Sequence, residues 1–128
     1  MIRLAEYIAK HYRGKVVEVG IGNYWRVAEY LAKAGFEVIA IDLKPINLKA
    51  NLKFYIDDIT NPNMEIYEGA SLIYSIRPPP ELVKSILRVA RAVNADCIVK
   101  PLYGDYFDGK LVNFKGLSFY IWAYKIYR

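Results

Sequence analysis

Residues 16–22 read Val-Val-Glu-Val-Gly-Ile-Gly, an apolar strand that runs directly into a turn carrying two glycines. A second apolar strand, Val38-Ile39-Ala40-Ile41, stops on Asp42. Between them, residues 24–34 place Trp25, Ala28, Leu31 and Ala32 on one helical face, and Gly35 supplies a stop. Asn23 is the expected N-cap of that helix, with Arg26 rather than an acid at the third helical position. Two strands joined through a helix lie parallel in one sheet. Glycine in the turn lets the backbone approach a ligand with no Cβ in the way. An acid at the tip of the second strand can accept hydrogen bonds from ribose hydroxyls.

That order predicts a Rossmann-like α/β domain that holds a nucleoside-containing cofactor. The chain has 128 residues, 55% of them apolar, which suits one domain, residues 1–128, with one packed sheet. No apolar run approaches the ~20 residues that span a bilayer, and the N-terminus reads as helix with an acid in it. A soluble, cytoplasmic protein is expected. The single cysteine, Cys97, sits in the apolar run Cys97-Ile98-Val99 and reads as a buried, inert thiol of a reducing compartment. The net charge of +5 is spread along the chain. It permits contact with anions or nucleic acid without arguing for it.

Apolar spacing predicts a first helix over 2–12. Residues 46–52 are too short for a crossover helix and should form a turn or loop. Short strands are expected at 54–56 and 71–76, with a helical turn near 64–68 between them. Arg77-Pro78-Pro79-Pro80 ends the second of these strands, and proline at a first helical turn starts a helix from about 80 to 93. A strand over 96–100 and closing antiparallel strands over 111–114 and 117–127 complete the order. The strands at 16–19, 38–41, 71–76 and 96–100 are apolar on successive residues, as in a parallel sheet covered on both faces.

Two cofactor patterns remain open at the glycine turn. In a dinucleotide fingerprint a third glycine packs the helix against the strand. Here Trp25 takes that place, so NAD(P) or another nucleotide is the weaker alternative. The stretch Glu18-Val19-Gly20-Ile21-Gly22 resembles the acid-x-Gly-x-Gly motif of class I S-adenosylmethionine-dependent methyltransferases. The resemblance implies that Gly20, Gly22 and Asn23 line the cofactor and that Glu18 lies beneath the loop. It also implies that Asp42 binds ribose and that Asp57 or Asp58 meets the adenine amino group. The whole chain is also similar to a family of small, uncharacterised archaeal proteins with a methyltransferase-like fold. That likeness is carried by residues 17–22, by Tyr74-Ser75-Ile76-Arg77-Pro78-Pro79, and by Asn113-Phe114-Lys115-Gly116.

In the methyltransferases that this chain resembles, the end of the fourth strand faces the reacting methyl group. Amine-methylating members carry an acid or amide followed by two prolines and an aromatic residue there. Here Arg77 replaces the acceptor residue, and a guanidinium cannot accept a hydrogen bond from an amine. Ser75, Arg77, Pro78 and Lys100 are instead the expected substrate rim. Two cations there suit an anionic acceptor, either a phosphorylated small molecule or RNA. A non-catalytic ligand-sensing or interaction protein is the alternative. His11 is the only histidine, and no His/Cys cluster has metal-ligand spacing. Residues 117–127 are apolar on both alternating faces, which predicts a cover such as a homodimer through this C-terminal strand.

Overall fold

The computed structural model describes residues 1–47 and 52–125. They form α1 (Ile2–His11), β1 (Lys15–Val19), α2 (Arg26–Lys33), β2 (Glu37–Asp42), β3 (Lys53–Ile56), β4 (Leu72–Ile76), α3 (Val83–Ala92), β5 (Asp96–Lys100), β6 (Lys110–Phe114) and β7 (Leu117–Trp122). A 3-10 turn over Met64–Ile66 precedes β4, and another over Pro80–Leu82 leads into α3. The strands form a single sheet in the order β3-β2-β1-β4-β5-β7-β6. Only β7 runs against its neighbours. The chain is thus a single α/β domain with a mostly parallel sheet.

Side chains alternate across the sheet and build two cores. On one face α1 and α2 bring Leu4, Ile8, Val27 and Leu31 onto Val16, Val38, Leu72, Ile98 and Phe119. On the other, α3 brings Val83, Ile86 and Ala90 onto Val17, Ile39, Ile73, Cys97 and Val99. The central strands are buried on both faces because each has a helical layer on either side, which explains their mostly apolar runs.

The order reverses between β1 and β4. From there β2 and β3 extend one way, and β4 and β5 the other. Ligands bind at the strand C-termini beside such a switch point.

Several boundaries differ from the sequence expectation. α2 begins at Arg26 with Trp25 at its N-cap and no side-chain cap, so Asn23 lies in the preceding turn. The two glycines need positive φ, and the chain uses the next residues to recover helical geometry. The proline run yields a 3-10 turn first, and α3 starts only at Val83. The loop expected at 46–52 lies partly outside the described residues, as do Ile126 and Tyr127 of the expected last strand.

The argument for a homodimer through the C-terminal strand is corrected by topology. β7 is an interior strand, not an edge. Leu117 and Phe119 are buried in the core of α1 and α2, and Tyr120 and Trp122 in that of α3. The chain itself covers both faces.

Candidate functional site

The turn after β1 is held from beneath. The N–H groups of Gly20 and Ile21 both donate to the Ile41 carbonyl, at 2.9 and 3.2 Å. The Gly22 N–H donates to Asp42 Oδ2 at 2.9 Å. Both glycines adopt positive φ, +71° at Gly20 and +54° at Gly22. That left-handed backbone favours glycine, and a Cβ at Gly20 would meet no protein atom within 4 Å. The open space is a cleft of about 270 Å³. Gly20, Asp42, Asp57 and Asp58 line it, with apolar walls that include Leu43 and Ile59.

The acids reach this cleft in different states. Asp42 keeps Oδ1 almost free, since its other contact is the Lys44 N–H at 3.4 Å. Asp57 accepts from the Tyr67 hydroxyl at 2.6 Å and from the Asn63 N–H at 3.0 Å, so it anchors the segment after β3. Burial first, and then this carboxylate, pushes the Tyr67 hydroxyl pKa up. Asp58 is exposed and accepts from the hydroxyl and N–H of Thr60 on one oxygen, which lowers its pKa. Among the described residues its second oxygen accepts no hydrogen bond.

Glu18 does not line the cleft. It is buried on the face of α1 and α2, where the Tyr74 hydroxyl donates to Oε1 at 2.8 Å. Burial pushes its pKa up to about 8, only partly opposed by that bond. At neutral pH it is mostly a neutral acid beneath the loop. Asn23 also lies outside the cleft lining.

At the expected substrate rim, Ser75 and Pro78 turn out to be buried. Ser75 donates to the Val19 carbonyl at 2.7 Å and ties β4 to the end of β1, so it positions the loop. Of the prolines, it is Pro79 that lines the cleft.

Arg77 and Lys100 do meet. The Arg77 N–H donates to the Lys100 carbonyl at 2.7 Å. Lys100 has a lowered pKa from partial burial and then from the Arg77 charge. Arg77 is exposed at φ +52°, an uncommon conformation for a non-glycine residue. Neither cation forms a salt bridge among the described residues.

No part of the sequence marks Leu43, Ile59, Pro79 and Leu82 as the apolar walls of a cleft. Their one signal is adjacency, since each lies within a few residues of a strand end already marked by an acid or by Arg77. Cys97 is buried with its pKa raised by burial and then by Asp96, as expected of an inert thiol. No metal-ligating cluster occurs among the described residues. No described helix is long and apolar enough to cross a membrane.

With this geometry in hand, residues 1–124 match the family described as "Uncharacterised protein family (UPF0146)". The chain belongs to the UPF0146 family. A UPF0146 protein of Archaeoglobus fulgidus is 58% identical over 121 residues, covering 94% of this chain and 93% of its own. One from Pyrococcus abyssi is 44% identical, covering 95% and 98%. Among solved structures, a TehB-like SAM-dependent methyltransferase from Corynebacterium glutamicum superposes with a TM-score of 0.65 at 20% identity. That match covers 93% of this chain and 84% of the other. A putative S-adenosyl-L-methionine-dependent methyltransferase from Methanococcus maripaludis gives 0.67 at 14% identity, covering 98% and 85%. At such identities these neighbours establish a shared methyltransferase-like fold for UPF0146.

Proposed function

We propose that this UPF0146 protein binds S-adenosylmethionine in the cleft at the ends of β1, β2 and β3 and acts as a methyltransferase on an anionic acceptor. The observation that carries the reading is the Gly22–Asp42 bond. It fixes the carboxylate with one oxygen held and the other presented to the cleft, as a ribose diol requires. The residues fit the cofactor in two further respects. A Cβ at Gly20 would project into ligand space. Apolar walls flank the acids, as suits a purine and a thioether chain.

A dinucleotide fits less well. A pyrophosphate needs free N–H donors at the glycine turn, and those of Gly20, Ile21 and Gly22 are already engaged.

Adenosylmethionine supplies an electrophilic methyl group when bound. The chain's part is proximity and orientation: acids hold the nucleoside, and Arg77 with Lys100 hold an anionic acceptor beyond it. Calorimetry against adenosylmethionine, NAD, NADP and ATP tests the cofactor. Saturation by adenosylmethionine is the expected result, and preference for NAD would overturn it. Transfer of labelled methyl to a cell extract separates an enzyme from a ligand-sensing protein. A labelled anionic acceptor is expected, and none under saturating cofactor would favour the sensor.

A further inference from the structure

α3 carries Lys84, Arg88 and Arg91, and residues 82–95 contain no acid. Spacings of four and seven put the three cations on one helical face, along roughly 10 Å at 1.5 Å per residue. All three are exposed, and none forms a salt bridge among the described residues.

They do not stand on a convex surface. They form one wall of a groove of about 530 Å³, larger than the cofactor cleft, whose opposite side includes Asp108, Trp122 and Tyr124. The groove exists because residues 101–109, which connect β5 to the parallel strand β6, contain no helix. Parallel strands ordinarily cross over through a helix that covers the sheet. Here the connection lays only Phe107 and the backbone near Gly109 over the end of β7.

The groove is built rather than incidental. A Cβ at Gly109 would approach the Trp122 ring to 2.7 Å, so the backbone lies directly on the indole. The Trp122 Nε1–H donates to Asp108 Oδ1 at 3.2 Å, which fixes the ring and occupies the one carboxylate in the lining. The Arg91 guanidinium lies over the Tyr124 ring at 4.8 Å, and its Nη2 donates to the Tyr124 hydroxyl at 3.3 Å. That holds Arg91 in one orientation and uses one of its five N–H donors.

We propose that this groove binds the phosphate backbone of a single-stranded nucleic acid. One phosphate would call for converging cations. Three cations strung along one helix match a linear run of phosphates, and the opposite side is set by rings that are already covered, Trp122 by the Gly109 backbone and Tyr124 by Arg91, so the strand is held by its backbone rather than by its bases. The site uses no residue of the cofactor cleft, so it stands or falls apart from the adenosylmethionine reading.

The test is fluorescence anisotropy of a labelled 12-mer oligouridylate across a salt series, without cofactor, on the full chain. Saturable binding that weakens steeply with salt is expected. Lys84→Ala/Arg88→Ala should lower affinity at least fivefold. It should also flatten the slope of log K against log salt by about 1.4, two phosphate contacts at ~0.7 each. Arg88→Gln alone should show about half the slope change, which guards against a double variant that fails to fold. The same 12-mer in DNA tells whether 2′-hydroxyls contribute. Binding of either strand, lost in the variants, supports the groove. Absence of saturable binding, an unchanged slope in both variants, or equal competition by polyglutamate would overturn the proposal.

Discussion

The two halves of the sheet's C-terminal edge differ in sign and in how their charges are held. Beyond β2 and β3 stand Asp42, Asp57 and Asp58, each accepting a hydrogen bond from the chain's own N–H or hydroxyl groups. Beyond β4 and β5 stand Arg77 and Lys100, without a salt bridge among the described residues and close enough for one charge to disfavour the other. Groups already held by the backbone bind with little ordering cost. Under the proposed function, one edge is pre-shaped for a fixed ligand and the other for an exchanging one.

The largest expected effect comes from beneath the acidic half. Glu18 is ionised in the unfolded chain above about pH 4.5, yet in the fold its pKa is pushed up to about 8. Between those values the native state holds a proton that the unfolded state has released, so Glu18 lowers stability progressively as pH rises from about 4.5 to 8. Glu18→Gln should therefore gain stability relative to the parent across that window. The gain should reach a few kcal/mol by pH 8.5 and fade towards pH 4.5. Denaturant melts at several pH values check this. A difference independent of pH would mean that Glu18 is ionised in the fold.

Next in size, Asp42→Ala should weaken adenosylmethionine binding by about 1–3 kcal/mol under the proposed function, since it removes both the proposed ribose acceptor and the anchor of the Gly22 N–H. Calorimetry reads it directly. Tyr67→Phe should cost about 1 kcal/mol of stability, because Asp57 loses its shortest hydrogen bond. A chemical-denaturation midpoint would show it. The smallest effect sharpens the contrast most. Arg77→Ala should leave adenosylmethionine affinity within about twofold while lowering binding of the proposed anionic acceptor and its salt dependence, because Arg77 lies outside the cleft lining. A cofactor affinity that fell as far as in Asp42→Ala would erase the division between the halves.

The strands and the glycine turn were legible because both-face burial and tight turns leave local marks: an apolar run at 16–19 broken only by Glu18, an unbroken one at 38–41, and paired glycines after an acid. The meeting of Arg77 with Lys100 was legible because strands 4 and 5 of such a sheet are neighbours. What stayed hidden depended on contacts between distant residues. Nothing local says that β7 inserts between β5 and β6, so its two apolar faces looked uncovered. Nothing in the string Ser75-Ile76-Arg77-Pro78 tells that Ser75 turns inward to the Val19 carbonyl while Arg77 turns out. The basic face of α3 did have a local signal, in the helical spacing of Lys84, Arg88 and Arg91.

The turn between β6 and β7 has a further consequence. Lys115 and Gly116 both adopt positive φ, the geometry of a tight two-residue hairpin, so β6 and β7 can pair from local sequence alone. Yet that turn is also where the chain's beginning fastens. Arg3 donates to the Lys115 carbonyl at 2.8 Å across 112 residues, and Glu6 meets the Lys115 ammonium at 3.6 Å. During synthesis α1 leaves the ribosome before β6 and β7 and finds this partner only once they have followed. Until then its apolar face, Leu4 and Ile8 included, lacks Phe119, with which it shares a core. A helix made before its partner strands is thus sealed only after them, and a chain halted before residue 110 would leave α1 without the hairpin it packs against.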